Sequence, residues 1–231
     1  MNAGRAVRHA ALELRMLLRN GEQLLLAFAI PLGLLVGGLL WGAGFGIDVR
    51  TFPASVIAVA TWSTAFTSLA VATGYERRYG VLERLVSTPL TRTDLIAGKA
   101  LSACALVAIQ ALLLGVVALA LGWRPVWSVA GLFTGVLGVA LGIAAFAGLG
   151  LLLAGTLKAE VTLALANLIY LLGLALGGLL LDQVPVLPTA ALGSLLRAAA
   201  AGFAAPLPLM ILAAWAVALT LLARRYFRWT S

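Results

Sequence analysis

Residues 100–121 read ALSACALVAIQALLLGVVALAL, a stretch with no charged side chain and no histidine. As a helix it is long enough to cross about 30 Å of hydrocarbon. No soluble core needs such a run, and similar runs recur on both sides of it. Of the 231 residues 63% are hydrophobic and 10% charged, against roughly 25% charged in a soluble domain. Bilayer is therefore the solvent that explains this sequence.

Six spans are expected, at about 24–42, 54–74, 98–121, 128–154, 161–181 and 206–223. The fold class that follows is an all-α integral membrane protein, a single transmembrane domain over 1–231 with six transmembrane helices. Of the intervening segments only 75–97 and 182–205 have room for local structure. With alternate connections on opposite faces, all of the 16 Lys and Arg except Arg50, Arg124 and Arg197 collect on one face. The positive-inside rule makes that face cytoplasmic, and an even number of spans puts both termini there. The formal charge of +8 is thus a matter of topology. It sits in short stretches between apolar runs, so membrane lipid is the expected partner and nucleic acid is not. Cys104 is the single cysteine and lies in an apolar run, which leaves no disulfide or cysteine metal cluster within the chain.

Residues 1–22 read as an amphipathic interfacial helix. Val7, Ala10, Ala11, Leu14, Leu17 and Leu18 share one face of a helical wheel and Arg5, Arg8, Arg15 and Arg19 another, with Leu12 and Met16 out of pattern. That arrangement suits a helix lying on the cytoplasmic membrane surface with its arginines near anionic headgroups. A basic anchor that only sets topology is the plainer alternative. A secretory signal fits less well, because the basic segment is long and no small-x-small cleavage site clearly follows. Pro31 and the glycines Gly135, Gly138, Gly142, Gly148 and Gly150 are ordinary in membrane helices, and small-xxx-small spacing carries little weight in a chain this rich in Ala and Gly.

The interiors of the expected spans lack Asp, Glu, Lys, Arg and His, which disfavours a proton-driven carrier. Thr61, Ser63, Thr64, Thr67 and Ser68 make a polar stretch in the second span, either packing polarity or the lining of a substrate path. His9 is the only histidine, and neither a nucleophile elbow nor a paired-carboxylate site appears. No catalytic residue and no metal site are expected, and without a P-loop the chain has no such device for ATP.

Residues 74–99, GYERRYGVLERLVSTPLTRTDLIAGK, concentrate the polar signals. Val81, Leu82, Leu85 and Val86 recur at helical spacing, giving a short amphipathic helix that Pro89 stops. Thr91 followed by Asp94 matches a capping box that opens the next helix. A short surface helix between two spans can dock a soluble partner and pass force to both. The plain alternative is a connecting loop that satisfies charge topology.

This segment resembles the ABC-2 type family of ATP-binding-cassette export permeases, which includes drug, polysaccharide and haem exporters. The likeness rests on Glu76, Arg77, Arg78, Gly80, Glu83, Arg84, Leu85, Pro89, Gly98 and Lys99, on Arg19, Asn20 and Pro31 earlier, and on Asn167, Gly178, Pro185, Pro188 and Pro206 later. It covers most of the chain. The resemblance implies that 81–88 is a coupling helix seated on a separate ATPase subunit, with Glu76, Arg77, Arg78, Gly80, Glu83, Arg84 and Leu85 as its coupling residues. It implies an interfacial helix at 1–22 beside the same ATPase and an outer segment at 182–205 that dips toward the membrane. There Leu195, Leu196 and Phe203 suit partial burial, while Arg197 must reach water or a headgroup.

The expected protein is a permease in a bacterial plasma membrane, pairing with a second copy or close relative and with an ATPase that binds ATP and Mg. No cofactor is expected on this chain. An apolar or amphipathic substrate, such as a drug, lipid or haem-like molecule, fits uncharged spans, with Thr61, Thr64, Thr67, Ser68 and Asn167 as candidates for its path. The rival classes are a membrane scaffold and an ion-coupled secondary carrier.

Overall fold

The computed structural model describes residues 3–176 and 186–228, and every regular element among them is helical. Helix α1 (Ala3–Arg19) leads into α2 (Gly21–Trp41), and α3 (Phe52–Trp62), a π-helical segment (Ser63–Ser68) and α4 (Leu69–Arg78) run on as one helix. The short α5 (Val81–Val86) precedes α6 (Arg92–Ala120), α7 (Val129–Thr156) and α8 (Ala159–Leu176). Helices α9 (Pro188–Ala200) and α10 (Pro206–Tyr226) complete the chain. Among the described residues 4 helices are long and apolar enough to cross a membrane: Phe52–Arg78, α6, α7 and α10. The apolar stretches Ala27–Trp41 and Ala159–Ala175 are shorter. The architecture is that of an all-α membrane protein, and the last residues of the expected fifth span, 177–181, lie outside the described residues.

Helix α7 is the centre of the bundle, and its glycines explain why. Gly138 and Gly142 face Leu195 and Leu192 of α9, Gly148 faces the backbone of α10, and Gly150 faces the π segment. A Cβ on Gly148 would sit 2.8 Å from the Leu219 carbonyl carbon, and one on Gly150 would sit 2.9 Å from the Phe66 oxygen. With lipid as apolar as the helix surfaces, close van der Waals approach is what holds such helices together. The small-residue spacing that carried little weight in the sequence is where backbones meet. Trp62 stacks on Phe66 with ring centroids 4.2 Å apart and meets Phe146 edge-on at 4.7 Å, closing the core around the π segment.

Two expectations change. The second-span helix runs past its expected limit at 74, because α4 continues to Arg78. The helix Phe52–Arg78 has 27 residues, about 40 Å at 1.5 Å per residue, so its end outruns a hydrocarbon core of about 30 Å. Glu76, Arg77 and Arg78 therefore ride on a helix rather than a loop. Within 182–205, of which 182–185 lie outside the described residues, α9 packs against α3, α7 and α10 with Leu195 and Leu196 buried and Phe203 exposed. Arg197 is largely withdrawn into the protein. It is 7% exposed and donates to Ser55 Oγ of α3 at 3.2 Å, because the leucines that dock α9 carry it inward.

Candidate functional site

The connection from α4 to α6 is built from local signals. Gly80 takes φ +70, a left-handed conformation that costs glycine little, and so turns the chain sharply between α4 and α5. Ser87 and Thr88 donate to the carbonyls of Arg84 and Leu85 at 2.7 and 2.6 Å, closing α5 ahead of Pro89. Thr91 Oγ1 accepts from the Asp94 N–H at 3.2 Å and Asp94 Oδ2 accepts from the Thr91 N–H at 3.3 Å, the capping box the sequence predicts. Leu82 is fully buried and anchors α5, while Tyr79, Val81, Glu83 and Arg84 stand exposed. Leu85 is half-buried against the core.

Beneath this surface helix Glu76, Gly98 and Lys99, all named from the sequence, meet in a buried ion-pair cluster that the sequence did not reveal. Lys99 of α6 is 1% exposed, and its Nζ lies 2.8 Å from Glu13 Oε1 of α1 and 2.7 Å from Glu76 Oε2 of α4. Glu76 Oε1 accepts a hydrogen bond from the same ammonium at 3.0 Å. One buried cation thus ties three helices together. Gly98 makes the approach possible, since a Cβ there would meet His9 Cδ2 at 2.5 Å. The Gly-Lys pair therefore has a division of labour: the glycine admits α1 and the lysine locks it.

Helix α1 accordingly docks on α6 through Ala6, His9 and Glu13, not through its leucine face. Val7 and Leu18 of that face stay exposed, as do the four arginines. Arg5 reaches from α1 to the Pro89 carbonyl at 2.6 Å, so the same helix also touches the end of the α5 connection. On the far side Arg77 is buried and donates to the Ala154 carbonyl at 2.8 Å, in the last turn of α7. A cation there meets the negative end of the helix dipole. Arg78 pairs with Glu160 in the first turn of α8. Glu76, Arg77 and Arg78 thus fasten α4 to α1, α6, α7 and α8, whereas Glu83 and Arg84 face outward.

His9 Nε2 lies 3.4 Å from Glu13 Oε1, out of line for a hydrogen bond. Burial holds the imidazole below its ordinary 6.5, the Glu13 charge opposing that shift and Lys99 adding to it. Undocked α1 would expose a histidine of ordinary pKa, which takes up protons that the docked form refuses. The docking energy is therefore complete above about pH 6.5 and declines as pH falls below it. Hydrogen exchange over residues 3–19, corrected for the intrinsic rate, should show faster opening at about pH 5.5 than at about 7.5. The difference should vanish in His9→Asn.

The polar stretch of the second span splits up. Thr64 Oγ1 donates to Gln110 Oε1 at 2.9 Å, and the Gln110 amide donates to the Ala27 carbonyl at 2.9 Å, linking α2, the π segment and α6. Thr61 bonds back to the Ile57 carbonyl at 2.8 Å and Thr67 Oγ1 has no hydrogen-bond partner. Thr64 and Ser68 line a cavity of about 40 Å³ that also touches Glu13, Thr73 and Lys99. Asn167 is exposed on α8 and does not join them.

These helices, the capped connection and its buried anchor lie within or beside residues 11–207, over which the chain matches the family model described as ABC-2 type transporter. The chain belongs to that family. It is a multi-pass membrane protein and a permease subunit of an ABC transporter. No curated protein matches the sequence. Within this ABC-2 permease, sequence reasoning missed Gln110, a lone amide in an apolar run, and Glu13. The signal of Glu13 was faint: a lone acidic group on the wheel between the basic and apolar faces of α1.

Proposed function

We propose that this chain is the membrane half of an ATP-driven exporter, moving an apolar or amphipathic molecule such as a drug, lipid or haem-like compound out of a bacterial cell. ATP and Mg are bound by a separate ATPase subunit, which docks on the exposed face of α5, and a second permease copy or close relative completes the path. Both termini and α5 lie on the cytoplasmic side. The observation that carries the reading is the contrast within one segment. Glu83 and Arg84 are free to meet a partner, while Leu82, Glu76, Arg77 and Lys99 bind the segment into four helices. A push on α5 is thereby delivered to α1, α4 and α6 together, which is what a rigid-body swing of the bundle requires. Thr64, Ser68 and the Gln110 bridge lie along α2, the π segment and α6, and serve best as the polar side of a substrate path. Asn167 lies on an exposed α8 face apart from them.

The test is co-purification from native membranes, with the Glu83→Ala, Arg84→Ala double variant alongside. A stoichiometric P-loop ATPase is expected with the wild type and should be reduced about tenfold with the variant, whose melting temperature stays near wild type. If no ATPase accompanies the crosslinked wild type, the scaffold and carrier readings take its place. Uptake into inverted vesicles driven by an ion gradient without ATP would select the carrier.

A further inference from the structure

At the other end of the bundle α3, α6, α7 and α9 enclose a groove of about 490 Å³, lined by apolar side chains from Cys104 to Gly115 on α6 and from Gly131 to Ala140 on α7. Ligand pockets commonly have volumes of about 300–1,000 Å³. The four buried atoms without hydrogen-bond partners among the described residues, on His9, Thr67, Thr73 and Glu76, all lie elsewhere. The lining is almost wholly apolar and so favours hydrocarbon.

The mouth is built and held. Trp123 donates its indole N–H to the Arg50 carbonyl at 2.7 Å, Val126 N–H bonds to the Ala200 carbonyl at 2.9 Å, and Ser128 Oγ bonds to the Gly202 carbonyl at 2.8 Å. These bonds fix the α6–α7 turn against the α2–α3 loop and α9. Trp123 and Trp127 line the groove at this turn, where indoles favour the level of lipid headgroups. Arg124 lies exposed between them. From Ser128 to Ala140 the groove runs about 18 Å along α7, about three fifths of a hydrocarbon core of about 30 Å and so at least the depth of one leaflet. Depth, lining and the cation at the rim agree on one occupant.

We propose that this groove binds one anionic glycerophospholipid of the leaflet on the α6–α7 turn side, an acyl chain lying between α6 and α7 and its phosphate on Arg124. The site is independent of the exporter reading and of α5. Gly115 has no atom within 4 Å of where its Cβ would stand and lines the groove, so the side chain of Gly115→Phe starts in open space and occupies it.

The experiment is native mass spectrometry of detergent-washed protein supplied with phosphatidylglycerol. Photo-crosslinking of wild type follows, with a phosphatidylglycerol that carries a diazirine in its acyl chain. One retained phospholipid per chain is expected, lowered about tenfold or more in Gly115→Phe by the lost acyl burial. Arg124→Gln should remove the preference for phosphatidylglycerol over phosphatidylcholine, and crosslinks should fall on α6 and α7. Equal retention in a folded Gly115→Phe overturns the proposal. Crosslinks confined to other helices do the same, and they need no variant. A dimer that dissociates in Gly115→Phe while the lipid stays would assign the groove to a second copy and also refute it.

Discussion

Lys99→Met is expected to be the most damaging single substitution in this chain. It leaves the carboxylates of Glu13 and Glu76, on α1 and α4, facing each other across the space the ammonium filled. Removing one partner of a buried ion pair costs about 3–5 kcal/mol, because the remaining charge stays desolvated and unpaired. Against a typical total of about 5–15 kcal/mol that is a large share. The melting temperature in mild detergent should fall sharply, and α1 should become the first segment to exchange its amide protons. Adding Glu13→Gln and Glu76→Gln to Lys99→Met should restore most of the loss, since no net charge is then stranded. A single variant that melts with wild type would show that the three groups are not paired in the membrane protein. A triple variant no better than the single would assign the cost to lost packing of the lysine stem.

Gly148→Leu should be nearly as severe, for a reason of shape rather than charge. The Cβ position at Gly148 already lies within 3.0 Å of backbone atoms of Leu219 and Thr220, which cannot rotate aside. Helix α10 must then move off α7, the closest pair in the bundle. Overpacking costs typically about 1–3 kcal/mol, and a whole isobutyl group between two backbones belongs at or above the top of that range. Gly33→Leu, in α2, makes the control, with nothing within 4 Å of its Cβ. There the gain in helix propensity, about 1 kcal/mol, is not opposed by a clash. The two variants should move the melting temperature in opposite directions, and equal shifts would contradict the α7–α10 contact.

Much of the segment between α4 and α6 could be read directly. The run at 81–86, the proline stop and the Thr91–Asp94 box are set by neighbours a few residues away, and each appears in the structure, which adds the left-handed turn at Gly80. The apolar helices could be read for a similar reason: in hydrocarbon every backbone N–H and C=O must be satisfied within its own helix, so composition over about 20 residues decides the element. Charge at the ends of the spans was visible too, but its use was not. Lys99 and Arg77 look like topology charges in sequence, and in the structure one fastens three helices while the other caps α7.

By itself, then, the sequence determined an all-helical membrane protein, where its apolar helices lie, and the short capped helix between two of them. Those are local consequences of hydrophobic length, charge and turn chemistry. Only the tertiary structure decided that Glu13 and Glu76 share Lys99, that Arg197 turns inward to Ser55, and that the α7 glycines face α9, α10 and the π segment. Glu13 and Lys99 are 86 residues apart, and Ser55 and Arg197 are 142 apart. No periodicity within one helix encodes which neighbour its small or charged face will meet, because that choice belongs to how several helices fill space together.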